Sequence, residues 1–107
     1  MSQQYKTEDQ YSMVPLSTEQ LQQELDKLSD WKQLDDQWIA REYKFNAYLE
    51  GVEFAKNIGE YAEKRQHHPT IIIDYKKVTV KISSWRAKGV TELDIVMVKD
   101  FDGIYNN

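Results

Sequence analysis

The run Val78-Thr79-Val80-Lys81-Ile82-Ser83 alternates apolar and polar side chains, the period of a strand with one buried and one wet face. Just before it, Thr70 to Tyr75 reads as another strand, with only a tight turn near Lys76-Lys77 between them. So short a connection allows only an antiparallel hairpin, because a parallel pair needs a crossover of about a dozen residues or more. The same arrangement recurs upstream. Trp31 to Phe45 reads as two short strands around Asp35-Asp36, with Ile39, Tyr43 and Phe45 on one face of the second. Strands in adjacent pairs, without strand-helix-strand alternation, point to an antiparallel sheet.

Helical patterns precede, separate and follow the two hairpins. Ser17 and Gln20 form a capping-box pair, Leu16 and Leu21 stand at the positions of a hydrophobic staple, and Leu21, Leu25 and Leu28 make the apolar face. Asn46 is the expected N-cap of a second helix reaching about Arg65, with Tyr48, Val52, Ala55, Gly59 and Ala62 inward. Gly51 and Gly59 each cost such a helix about 1 kcal/mol against Ala, so close approach of another backbone is expected there. Pro69 ends the helical region and biases His68 toward an extended conformation. Thr91 and Asp94, again at capping-box spacing, open a last helix with Leu93, Val96, Met97, Phe101 and Ile104 inward.

The expected fold is α+β: a four-stranded antiparallel sheet with three helices packed on one face, in the order α-β-β-α-β-β-α. Residues 1–15 show no periodicity and are read as a mobile N-terminal arm, ahead of one domain over residues 16–107. An open sheet keeps unpaired edges, and pairing them with another copy of the chain makes a homodimer or homotetramer the expected state.

Composition narrows the function. Cysteine is absent, which removes disulfides, thiolate nucleophiles and zinc-ribbon sites. A formal charge of −4 opposes direct nucleic-acid binding and anionic membranes. No apolar run approaches the roughly 18 residues of a membrane span. The polar, acidic N-terminus lacks the features of a signal or transit peptide, so a cytoplasmic location is expected.

Both histidines of the chain, His67 and His68, are adjacent at a helix-to-strand junction ahead of Pro69. Histidine titrates nearest neutrality, so two in different surroundings can divide the roles of proton donor and acceptor. Two other readings stand beside that one: a surface turn without chemistry, or a cation site shared by Glu63, His67 and His68, for which the chain offers no further histidine or cysteine.

Downstream the spacing is Glu63, three residues, His67-His68-Pro69, five residues, Tyr75, nine residues, Trp85, eight residues, Asp94. This resembles the signature of the pterin-4a-carbinolamine dehydratases, and Val78-Thr79-Val80 and Lys88-Gly89-Val90-Thr91 look like that family's strand and glycine turn. The resemblance implies a pterin dehydratase-like domain over residues 16–107. Its implied activity removes water from 4a-hydroxytetrahydropterin to give quinonoid dihydropterin, with no metal or organic cofactor.

By the same resemblance His67 and His68 are the acid-base pair, and Asp94 orients a catalytic group or binds the polar pterin edge. The pterin then lies between His67-His68-Pro69 and Ser84-Trp85-Arg86-Ala87. Asp94 also reads as a simple helix cap, Glu63 as a partner steadying His67 or a solvated charge, and Trp85 as core packing. Trp85 stands where many members carry a third histidine; an indole stacks on a flat ring but is no base, which implies a slower enzyme. Two other roles fit the same resemblance: a non-enzymatic oligomeric interaction module, and a binder of another pterin or a molybdopterin.

Overall fold

A computed structural model describes residues 5–107, and its elements follow the expected order behind one short 3-10 turn at Glu8–Gln10. The helices are α1 (Thr18–Asp26), α2 (Tyr48–Arg65) and α3 (Glu92–Asn106). Strands β1 (Lys32–Gln33), β2 (Ile39–Lys44), β3 (Thr70–Ile73) and β4 (Lys77–Ile82) form one sheet in the order β1-β2-β4-β3, antiparallel throughout. The two hairpins therefore join through their second strands, leaving β1 and β3 at the edges.

Register sets the core. Ile39 faces Ile82 and Tyr43 faces Val78 across β2 and β4, and all four are 0% exposed. They share their sheet face with Val80 and meet Phe54 and Ile58 of α2 and Leu93, Met97 and Phe101 of α3. Burial of each such side chain is worth about 1.5–3 kcal/mol, so this face decides the fold. The opposite face carries Glu42, Lys44, Thr79 and Lys81, none of them fully buried.

Polar side chains lock α3 to the sheet. Asp102 accepts hydrogen bonds from Tyr43 Oη at 2.6 Å, Arg41 Nη1 at 2.8 Å and Trp31 Nε1 at 3.1 Å. Burial, and then the hydrogen bond to Asp102, push the Tyr43 phenol far above its ordinary range, so it stays a neutral donor. A second cluster joins Arg65 to Tyr61 at 2.9 Å and to Asp100 at 3.2 Å.

Two capping boxes form as the sequence predicts, Ser17 with Gln20 and Thr91 with Asp94. The start of α2 differs: Ala47 is its N-cap, and the Asn46 N–H instead donates to Glu50. Its inner face is also rotated from the expected one. Gly51, Phe54, Ala55, Ile58, Tyr61, Ala62 and Arg65 are buried, whereas Tyr48 is 48% exposed. The larger apolar area of Phe54 and Ile58 turns the helix toward the sheet, leaving Val52 and Gly59 half-buried.

Close approach explains one of the two interior glycines, and through side chains rather than backbone. A Cβ on Gly51 would stand 3.1 Å from Val78 Cγ2, whereas one on Gly59 would meet nothing within 4 Å.

Residues 5–15, within the segment read as an arm, lie against the body; residues 1–4 fall outside the described residues. Arg65 Nη1 donates to the Lys6 carbonyl at 3.1 Å, and Tyr5 meets the Tyr61 ring edge-on. Leu16 N–H bonds Val90 O at 2.8 Å, and Pro15 packs so near Gly89 that a Cβ there would sit 3.0 Å away. No helix among the described residues is long and apolar enough to cross a membrane.

Candidate active site

The last turn of α2 aims the two histidines apart. Gln66 closes the helix in the left-handed region, with φ 54°, and the His67 N–H reaches back to Ala62 O at 3.3 Å. This backward bond ends the helix and swings the chain outward. The Gln66 side chain supports the turn, its amide donating to Glu63 O at 2.7 Å. His67 consequently points into the body, 5% exposed, while the His68 side chain is 56% exposed.

Both ring nitrogens of His67 meet carboxylates. Nε2 lies 2.7 Å from Asp94 Oδ1, and Nδ1 lies 2.7 Å from Glu8 Oε1. An ionised carboxylate only accepts, so between two of them a ring bonded at both nitrogens donates from both, which is the hydrogen bonding of an imidazolium. Burial opposes charge on His67, but the hydrogen bonds to Asp94 and Glu8, reinforced by their charges, prevail and raise its pKa above the ordinary value of 6.5.

Asp94 is 0% exposed, and each of its oxygens is used. Oδ2 accepts from the Thr91 N–H and from Ser84 Oγ, both at 2.8 Å. It thus caps α3 and holds His67 at once, and the positive end of the helix favours its charge. Ser84 Oγ also lies 2.9 Å from Thr91 Oγ1 and 3.3 Å from His67 Nε2.

His68 makes a separate pair, with Nε2 at 2.5 Å from Glu63 Oε2. Glu63 therefore steadies His68, not His67, and the cation site imagined for those three residues is not assembled. No group of three or more His, Cys, Asp or Glu suited to a metal occurs among the described residues.

The facing wall is the loop after β4. Ser84 and Gly89 bridge its ends, and Trp85 O and Ser84 O accept from Lys88 and Ala87 N–H at 3.1 and 2.9 Å. Lys88, with φ 57°, takes the left-handed position of this expected glycine turn, and Gly89 serves instead to admit Pro15. Trp85 at the loop's tip is 80% exposed, which overturns the core-packing reading. Arg86 Nη1 reaches across to Glu8 Oε2 at 2.8 Å.

Between the walls lies a cavity of about 160 Å³ lined by Glu8, Met13, His67, His68, Ser83, Ser84, Trp85 and Arg86. Of the residues expected to form the site, His67, His68, Ser84, Trp85 and Arg86 meet here, and Asp94 stands behind His67. Pro69 and Ala87 lie in the flanking turns and do not line it. Ser83 contributes a buried hydroxyl that has no partner among the described residues. Three larger depressions, of about 610, 650 and 410 Å³, contain neither histidine.

Sequence reasoning missed Glu8, Met13 and Ser83. Glu8 reaches His67 over 59 residues of chain, beyond any local pattern, though Thr7 and Gln10 stand at capping-box spacing around it and do form that box.

A family-wide sequence pattern described as pterin 4 alpha carbinolamine dehydratase matches residues 14–104. The chain belongs to the pterin-4a-carbinolamine dehydratase family. This dehydratase-family chain is 35% identical over 92 residues to a provisionally named pterin-4-alpha-carbinolamine dehydratase of Mycolicibacterium vanbaalenii, covering 86% of this chain and 98% of that one. A relative from Mycobacterium leprae with the same provisional name is 38% identical over 90 residues, covering 84% and 95%.

Among solved structures, a transcriptional coactivator/pterin dehydratase from Brucella melitensis superposes with TM-score 0.80 at 32% identity, covering 85% of this chain and 98% of that one. A pterin dehydratase-like protein described as a RuBisCO assembly factor of the alpha-carboxysome superposes with TM-score 0.62 at 15% identity, covering 73% and 92%, and shares the fold. Glu8 precedes the residues that the family pattern matches.

Proposed function

We propose that this protein is a cytoplasmic dehydratase that removes water from 4a-hydroxytetrahydropterin, giving quinonoid dihydropterin for reduction back to tetrahydropterin. The observation that carries the reading is the pair of adjacent imidazoles in opposite environments on one cavity. His67 is buried and held between two carboxylates, while His68 is exposed beside Glu63. Such a contrast separates an acid from a base.

The chemistry requires one proton in and one proton out. The C4a–O bond breaks as the hydroxyl takes a proton and leaves as water; N5 loses its proton as the C4a=N5 double bond forms. His67, held as an imidazolium, is the donor. His68 is the acceptor: its Nε2 faces Glu63, which leaves Nδ1 as the ring nitrogen to take the proton. Asp94 fixes the His67 ring, and the exposed face of Trp85 stacks on the flat pterin. Ser83, Ser84 and Arg86 supply polar contacts, while Pro69 and Ala87 shape the two turns. No metal or organic cofactor takes part.

The working domain is residues 16–107, with residues 1–15 as an arm whose Glu8 and Met13 complete the cavity wall. Strand β3 lies at a sheet edge with Ile72 and Ile73 43% and 41% exposed, which supports pairing of copies into a homodimer or homotetramer. Sedimentation analysis tests that assembly. Turnover of freshly generated carbinolamine tests the activity, and its absence would favour a pterin-binding or interaction module.

A further inference from the structure

Glu8 and Met13 are the parts of the cavity wall that precede the family match, and Glu8 touches both His67 and Arg86. Its Oε1 takes the His67 Nδ1–H at 2.7 Å and its Oε2 takes Arg86 Nη1 at 2.8 Å. The contact is built rather than incidental. Gln10 Oε1 accepts from the Thr7 N–H at 2.8 Å, fixing the turn that carries Glu8, and Arg65 grips the Lys6 carbonyl one residue before that turn. The Glu8 side chain itself is only 22% exposed.

The orientation of His67 gives this contact its meaning. Nε2 is committed to Asp94, which is wholly buried and lines no part of the cavity. Nδ1 meets Glu8, which lines the cavity, and Glu8 decides whether it carries a proton. With Asp94 alone, His67 is satisfied as a neutral ring donating from Nε2, its Nδ1 lone pair outward. With Glu8 added, the ring must donate from both nitrogens.

We infer that Glu8 is a positioning residue for the dehydration, completing a two-carboxylate clamp that keeps His67 an imidazolium with its Nδ1–H toward Glu8. The inference rests on the dehydratase reading for its catalytic meaning and on the hydrogen bonds for the clamp. Arg86 tethers Glu8 in place, and the paired charges, His67 and Arg86 against Asp94 and Glu8, balance. Ser84 and His68 complete the polar surroundings of the ring. A substrate hydroxyl that takes the place of Glu8 Oε1 at the Nδ1–H meets a loaded donor instead of a neutral ring.

The test uses the full chain with 15N-labelled histidine, following the His67 ring by NMR through a pH titration alongside the pH profile of kcat/KM. Glu8→Gln keeps the size of the side chain and removes its charge, Glu8→Asp keeps the charge, and the exposed Glu53→Gln on α2 is the matched control. The expected result is a His67 titration and an alkaline limb of kcat/KM that both move to lower pH in Glu8→Gln. Glu8→Asp restores part of the displacement, and Glu53→Gln shows none. At neutral pH Glu8→Gln then loses roughly tenfold in kcat/KM, less than the 10²–10⁴-fold expected when a general acid is removed outright. A wild type that dehydrates the carbinolamine, paired with a Glu8→Gln variant whose His67 titration and alkaline limb are unmoved, overturns the role of Glu8 alone. A displaced titration in a protein set without dehydratase activity overturns the dehydratase reading, and the catalytic role of Glu8 with it.

Discussion

Asp94 holds His67 through one oxygen and caps α3 through the other, so one fully buried carboxylate ties the candidate catalytic ring to the start of the last helix. Removing it strands the imidazolium in the interior and opens the helix end together. Asp94→Ala should lose about 3–5 kcal/mol, the cost of breaking a buried ion pair. Asp94→Asn keeps an acceptor for the cap and should lose less. Urea unfolding of the three proteins checks both, and equal losses would show that the cap contributes nothing separable.

Stability should fall as pH rises past neutrality. The His67 pKa is raised on folding above its ordinary value of 6.5, so the folded chain holds a proton that the unfolded chain gives up. That contribution is complete below about pH 6.5 and disappears as pH rises through the folded-state pKa. Thermal melts from about pH 6 to 9 should show Tm declining across that interval, with the decline reduced in His67→Gln. A decline of equal size in the variant would assign the slope to other groups.

Trp85 is exposed at the cavity rim and should serve binding, not folding. Trp85→Ala is expected to leave Tm nearly unchanged while raising KM, since stacking of a flat base on an aromatic ring is worth about 1–3 kcal/mol. Trp85→His restores a proton-transferring side chain and should raise kcat by about tenfold or more. Steady-state kinetics of both variants separate the two effects.

The two glycines inside α2 should respond oppositely to alanine. Gly59→Ala meets open space and should stabilise the protein by about 0.5–1 kcal/mol. At Gly51 the new methyl group would press on the fully buried Val78, 3.1 Å away, and the resulting strain should exceed the helix-propensity gain. Denaturant midpoints of the pair provide the comparison.

Local chemistry made much of this fold readable. The capping boxes at Ser17 and Thr91 and the alternation through Val78, Val80 and Ile82 depend on neighbours within a few residues, and they stand as expected. The inner face of α2 was harder to read, because small and large apolar residues lie on adjacent stripes and only the sheet decides between them. Part of the site was legible because His67, His68, Trp85 and Asp94 occupy a recognisable spacing. Their partners were less so. Glu63 stands four residues before His67, as a helical pair would require, but the left-handed turn at Gln66 takes His67 off that face and leaves His68 within reach. Glu8 comes from a remote segment that only the folded chain brings near.

The central claim is most directly tested by stopped-flow absorbance of freshly generated 4a-hydroxytetrahydropterin, with the purified protein and with a His67→Ala, His68→Ala double variant. The account predicts that the wild-type chain accelerates formation of quinonoid dihydropterin and that the double variant, still folded, loses the acceleration by about 10²–10⁴-fold. Equal rates with and without the two histidines would contradict it.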